Sequence, residues 1–203
     1  HMRAIHANAA WAAGKLGSSA IKVGILDTGI SYTTPDLTGR VDLALSRSFL
    51  SATENARVQT AFPGAHAIAD LHYHGTHVAA TVASNGMVGA GVTSGVTLVG
   101  LKVCAPGVFP TWRGTCPTSG TMAAILYASD LGLPIITMSL GGGFNRRDAR
   151  AAGGVGPSFL ATINRVFNYA NQKGTVVVVS AGNNAIDMDH DGNRYNSYCN
   201  APH

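Results

Sequence analysis

His72-Tyr-His-Gly-Thr-His-Val-Ala-Ala-Thr-Val-Ala-Ser-Asn85 packs three histidines into six positions and then becomes a small, apolar run. Ala79, Ala80, Val82 and Ala83 stand at helical spacing, and Gly86 follows as a stop. A histidine at a helix start lies beside the positive end of the helix dipole. That position favours neutral imidazole, the form a general base needs. The stretch therefore predicts a helix that carries a base at its first turn. His72, His74 and His77 are the candidates.

On either side, short apolar strands alternate with helical segments. Residues 21–26, 41–45, 97–103, 134–138 and 175–179 read as strands. Residues 4–16, 119–131 and 158–173 read as helices, the last with Phe159, Ile163, Val166, Phe167 and Ala170 along one stripe and Gly174 as its stop. This alternation predicts βαβ units: an α/β fold of three layers, a mostly parallel sheet with helices on both faces. In such folds the site lies outside the carboxyl ends of the strands. Asp27, Ser139-Leu-Gly-Gly and Ser180-Ala-Gly-Asn183 stand at those ends. No linker or repeat interrupts residues 1–203, which read as one domain.

Composition narrows the function classes. The chain is 46% hydrophobic and 12% charged, which is the make-up of a packed globular domain. Its net charge of +4 comes from scattered arginines without interleaved aromatics, so nucleic-acid binding is not expected. No apolar run approaches the length of a membrane span. Cys104 and Cys116 bracket a loop rich in Pro and Gly. In a secreted protein they read as a short disulfide-closed loop, and otherwise as two reduced, buried thiols. Cys199 is left over.

Asp27 ends a buried strand, where a carboxylate must be paired or hydrogen-bonded. It is either a turn aspartate bonded to its own backbone or the orienting acid of an imidazole. Asp27-Thr-Gly29 occurs once, so the paired carboxylates of an aspartic protease are not available. His72-x-His74-x-x-His77 is similar to the His-x-His-x-Asp-His element of metallo-β-lactamase-like hydrolases, but Thr76 replaces the aspartate. A zinc metallohydrolase is thus a remote alternative. Asp187, Asp189 and Asp191 open a calcium-loop pattern whose twelfth position, Tyr198, cannot supply the bidentate carboxylate.

Five motifs follow in order: Val23-Gly-Ile-Leu-Asp27-Thr-Gly-Ile30, Pro35-Asp-Leu37, His74-Gly-Thr-His-Val-Ala79, Ser139-Leu-Gly-Gly142 and Ser180-Ala-Gly-Asn183. Together they resemble the subtilisin-like serine proteases, the subtilases, across nearly the whole chain. The resemblance implies a serine endopeptidase with polypeptide substrates and no cofactor required for its chemistry. Asp27 would be the triad aspartate, His74 the general base and Asn183 the oxyanion donor. Ser139, Leu140 and Gly141 would pair with extended substrate backbone. Ser180, Ala181 and Gly182 would wall the primary specificity pocket. Asp36 matches an aspartate that binds calcium in many subtilases, which gives a second candidate for structural calcium beside Asp187, Asp189 and Asp191. His77 falls inside the helix and His72 has no assigned task.

The family's nucleophile motif, Gly-Thr-Ser-Met-Ala-x-Pro-His, does not occur. Thr118-Ser-Gly-Thr-Met-Ala123 holds similar letters but precedes the Ser139 motif, and Ala201-Pro-His203 lacks the serine. The resemblance then implies the first two-thirds of a subtilase catalytic domain, secreted, and inactive alone. A propeptide or the missing segment would cover the exposed sheet edge, or copies would associate there. The alternative is a catalytically silent, subtilase-derived binding module.

Overall fold

A computed structural model describes residues 2–107, 114–141, 143–145, 156–183 and 194–196. The chain divides into two compact units, His1–Ala124 and Ile125–His203. The fold is α/β, with five parallel strands flanked by helices.

The first unit begins with α1 (Ala7–Ala12), shorter than the alanine-rich run suggested because Gly14, at φ +72°, turns the chain away. β1 (Lys22–Asp27) follows, then β2 (Arg47–Ser48), α2 (Ala52–Ala61), α3 (His74–Val82) and β3 (Thr97–Lys102). The three strands run parallel in the order β2-β3-β1, with Lys22 opposite Thr97 and Asp27 opposite Lys102. Val23 to Asp27 and Leu98 to Lys102 are buried at consecutive positions, so both faces of each strand are covered. That explains their unbroken apolar character.

One expectation in this unit needs correction, and two elements were not anticipated. Residues 41–45 are not a strand. Val41 makes a single bridge to Leu98, and the Asp42 carboxylate then accepts the Leu45 N–H, closing a turn. The strand comes later, at β2. The second omission is α2. Its N-cap Ser51 accepts the Glu54 N–H at 3.2 Å, and Ser51-Ala-Thr-Glu54 has the spacing of a capping box.

α4 (Thr118–Asp130) carries the chain into the second unit, with Ser119 inside its first turn. β4 (Ile135–Met138), β5 (Gly143–Asn145), α5 (Gly156–Gln172), β6 (Val176–Val179) and β7 (Arg194–Asn196) follow. β4 and β6 are parallel, and β5 and β7 form an antiparallel pair. The stripe expected on α5 is seated, with Ile163, Val166 and Ala170 buried. The helix ends at Gly174, φ +82°, and the Thr175 N–H returns to the Ala170 carbonyl at 2.9 Å.

Candidate active site

Parallel pairing of β1 with β3 delivers Asp27 to the carboxyl end of the sheet. Asp27 is 2% exposed. Its Oδ1 accepts the Thr28 N–H at 2.7 Å and faces His74 Nδ1 at 2.7 Å. A carboxylate can only accept, so Nδ1 carries the proton and Nε2 is left as the basic nitrogen. The His74 side chain is 42% exposed, so a buried acid backs an imidazole that reaches solvent. Oδ2 of Asp27 is buried without a hydrogen-bond partner among the described residues. Burial pushes the Asp27 carboxyl above its ordinary value, against the pull of its bonds to His74 and the Thr28 amide.

The close approach of α3 to β1 depends on glycine. A Cβ at Gly75 would lie 2.2 Å from the Gly29 carbonyl oxygen and 3.0 Å from Asp27 Cβ. Gly29 itself has φ +122°, and a Cβ there would strike the Ile68 carbonyl at 2.4 Å. Gly75 thus lets α3 close on the end of β1 and brings His74 within reach of its acid, while Gly29 lets the same turn pass against the Ile68–Asp70 segment.

Around this pair lies a polar network that the sequence reading missed. Asp70 is 6% exposed. Its Oδ1 accepts the Thr28 hydroxyl at 3.0 Å and the His72 N–H at 2.9 Å. Its Oδ2 accepts the Thr76 N–H at 3.0 Å and the Thr76 hydroxyl at 2.6 Å. The Thr28 hydroxyl in turn accepts the Gly75 N–H at 2.9 Å, and Thr76 Oγ1 accepts the Ser31 N–H at 3.0 Å. Lys102, opposite Asp27 in the strand register, is 1% exposed and donates to the Ala69 carbonyl at 2.7 Å. Burial pushes its ammonium down to about 8, although the Asp70 charge favours the protonated form.

The other histidines take separate places. The His72 ring stacks on Tyr73 with centroids 4.5 Å apart and meets His74 edge-on at 6.4 Å. His77 is exposed along α3. Among the described residues no three His, Cys, Asp or Glu side chains gather as metal ligands, so this histidine cluster is not a zinc cage. Asp36 is surrounded by donors. Its oxygens accept the Ser84 hydroxyl at 2.8 Å, the Met87 N–H at 2.7 Å and the Val88 N–H at 3.1 Å. These bonds, the Ser84 hydroxyl foremost, hold its carboxyl below the usual range. Amides aimed at a carboxylate do the opposite of a calcium cage, which needs oxygens facing inward, so Asp36 does not fit a cation. Asp187, Asp189 and Asp191 lie outside the described residues, as does Cys199. Cys104 and Cys116 form a disulfide, and the Ala105 and Thr115 backbones exchange hydrogen bonds just inside it.

In the second unit, the pairing of Met138 with Val179 sets Ser139 and Ser180 at the carboxyl ends of adjacent strands. The Ser180 N–H donates to the Met138 carbonyl at 3.2 Å. Ser139 is half-buried, Leu140 buried and Gly141 exposed, while Ala181, Gly182 and Asn183 are exposed.

The sequence matches the profile of the subtilase family over residues 18–202. The chain belongs to the subtilase family. It is 31% identical over 179 residues to minor extracellular protease Vpr of Bacillus subtilis, covering 88% of this chain and 19% of that protein. It is 31% identical over 171 residues to Subtilisin Savinase of Lederbergia lenta, covering 83% and 49%. The chain thus spans less than half the length of either relative. Among solved structures, it resembles the epidermin leader peptide processing serine protease of Staphylococcus aureus. The TM-score is 0.68 at 22% identity, covering 90% of this chain and 41% of that one. The nisin leader peptidase NisP of Lactococcus lactis gives a TM-score of 0.66 at 23% identity, covering 89% and 49%. These two likenesses support the subtilase fold.

Proposed function

We propose that the chain supplies the acid and base of a serine endopeptidase. The single observation that carries this is the 2.7 Å contact between a nearly inaccessible Asp27 and the Nδ1 of a half-exposed His74. Asp27 fixes the tautomer and stabilises the imidazolium once it forms. His74 Nε2 takes the proton of a serine hydroxyl as that oxygen attacks a peptide carbonyl, then returns it to the departing amine. Asn183 donates to the oxyanion. Ser139, Leu140 and Gly141 receive extended polypeptide substrate, and Ser180, Ala181 and Gly182 form a wall of the pocket for its side chain. No motif in residues 1–203 supplies the serine, so the chain alone does not hydrolyse peptides. The disulfide supports a secreted protein. The half-exposed Val176 and Val178 of β6 support a covering segment or a second copy at that strand.

A fluorophosphonate probe tests this reading. Residues 1–203 should remain unlabelled. The chain extended by a Gly-Thr-Ser-Met-Ala-bearing segment should label stoichiometrically and lose labelling in His74→Ala. Stoichiometric labelling of residues 1–203 alone, or labelling of the extended chain that survives His74→Ala, overturns it.

A further inference from the structure

Tyr73, immediately before His74, has φ 108°. A bulky residue adopts this left-handed backbone only when its surroundings impose it. Tyr73 is also the N-cap of α3, yet its side chain caps nothing. The first-turn donors of the helix, which need acceptors, go elsewhere. The Gly75 N–H goes to the Thr28 hydroxyl and the Thr76 N–H to Asp70. Asp70 therefore caps α3 from outside the helix, with a charge that suits the positive end of the dipole.

The same carboxylate reaches the other half of the pair. Thr28 follows Asp27 in sequence, and its hydroxyl sits between Asp70 Oδ1 and the Gly75 N–H. One buried side chain thus grips Thr28, the residue after the acid, and Thr76, the second residue after the base, while Thr28 in turn holds the Gly75 N–H. We infer that Asp70 is a positioning residue: by holding Thr28 and Thr76 it fixes the distance between Asp27 and His74. This rests on the reading of those two residues as acid and base. Every oxygen of the device is used, and Lys102 lies behind it with its ammonium on the neighbouring Ala69 carbonyl. Charge-assisted bonds at buried sites hold geometry tightly, because a slipped donor finds no water to replace its partner.

Proton NMR on the 203-residue chain tests the inference without requiring proteolysis. The proton shared by His74 Nδ1 and Asp27 gives a far-downfield resonance, assigned by its loss in His74→Ala. Asp70→Asn keeps the shape but turns an NH2 group toward donors. The expected result is loss of that resonance and roughly ten- to a hundredfold faster exchange of the Thr76 amide, as befits a lost bond to a charged acceptor. Thr76→Val should weaken the resonance and Thr76→Ser restore it, which keeps the test informative if Asp70→Asn unfolds. Asp36→Asn is the control. It loosens a carboxylate that holds the Met87 and Val88 amides and should leave the resonance unchanged. A folded Asp70→Asn chain with the resonance at its original shift overturns the inference, as does Thr76→Val with no effect. Neither result bears on fluorophosphonate labelling, so failure here is distinct from failure of the proposed activity.

Discussion

Gly75→Ala sets two effects of opposite sign against each other. Alanine is the better helix former, by about 1 kcal/mol, and on propensity alone the change should stabilise α3. The geometry opposes this. The added Cβ would lie 2.2 Å from the Gly29 carbonyl oxygen, where ordinary contact begins at 3.4 Å. The obstacle is backbone, bounded by Asp27 Cβ and Gly29 N at 3.0 Å, and cannot swing aside as a side chain would. The start of α3 must retreat by about 1 Å, which stretches the 2.7 Å contact of His74 with Asp27 to about 3.7 Å, beyond hydrogen-bond range. Overpacking costs about 1–3 kcal/mol and loss of a bond to a charged group about 1.5–3 kcal/mol, so the net loss after the helical gain is about 1.5–5 kcal/mol. Urea denaturation monitored by tryptophan fluorescence measures this, with the downfield imidazole proton as a second readout. A variant as stable as the parent, with that proton unmoved, would refute the claim that the glycine is there to admit the acid.

Two pH experiments follow from the buried charges. A folded-state value raised above the ordinary 3.8 means that Asp27 favours folding most below that value and progressively less as pH rises through the folded value. The unfolding free energy of the parent minus that of Asp27→Asn should therefore decrease from about pH 3 to neutrality; an increase across that window contradicts the burial argument. Lys102 has the opposite form. Its value of about 8 lies below the ordinary 10.5, so stability lost to its buried charge at neutral pH should return as pH climbs between those values. Thermal midpoints of the parent and Lys102→Met, compared from pH 7 to pH 10, should show that rise only in the parent.

The sequence was most informative where one residue type had one physical use. The valine run 176–179 and the alternation of strands with helices dictated a parallel sheet, and Asp27, Ser139 and Ser180 stood out as the polar residues at strand ends. Periodicity failed at 41–45, where Asp42 spends its side chain on a turn, and at α2, whose signal is a cap and not a stripe. Asp70, Thr76 and Lys102 were illegible for a different reason. Their roles depend on contacts across 33 to 45 residues of chain: Thr28 with Asp70, Ser31 with Thr76, and Lys102 with Ala69.

Thr76 shows the limit best. Read as a missing metal ligand, it weakened the zinc hypothesis; in place, it is a donor to Asp70 and an acceptor for Ser31. A buried carboxylate four residues before a histidine helix becomes meaningful only when the strand carrying Asp27 supplies the hydroxyl that completes it. The acid and base could be read separately along the chain, but the group that sets their separation belongs to neither motif. Substitutions that preserve both motifs and alter only Asp70 should therefore disturb the pair as much as changes within the motifs themselves.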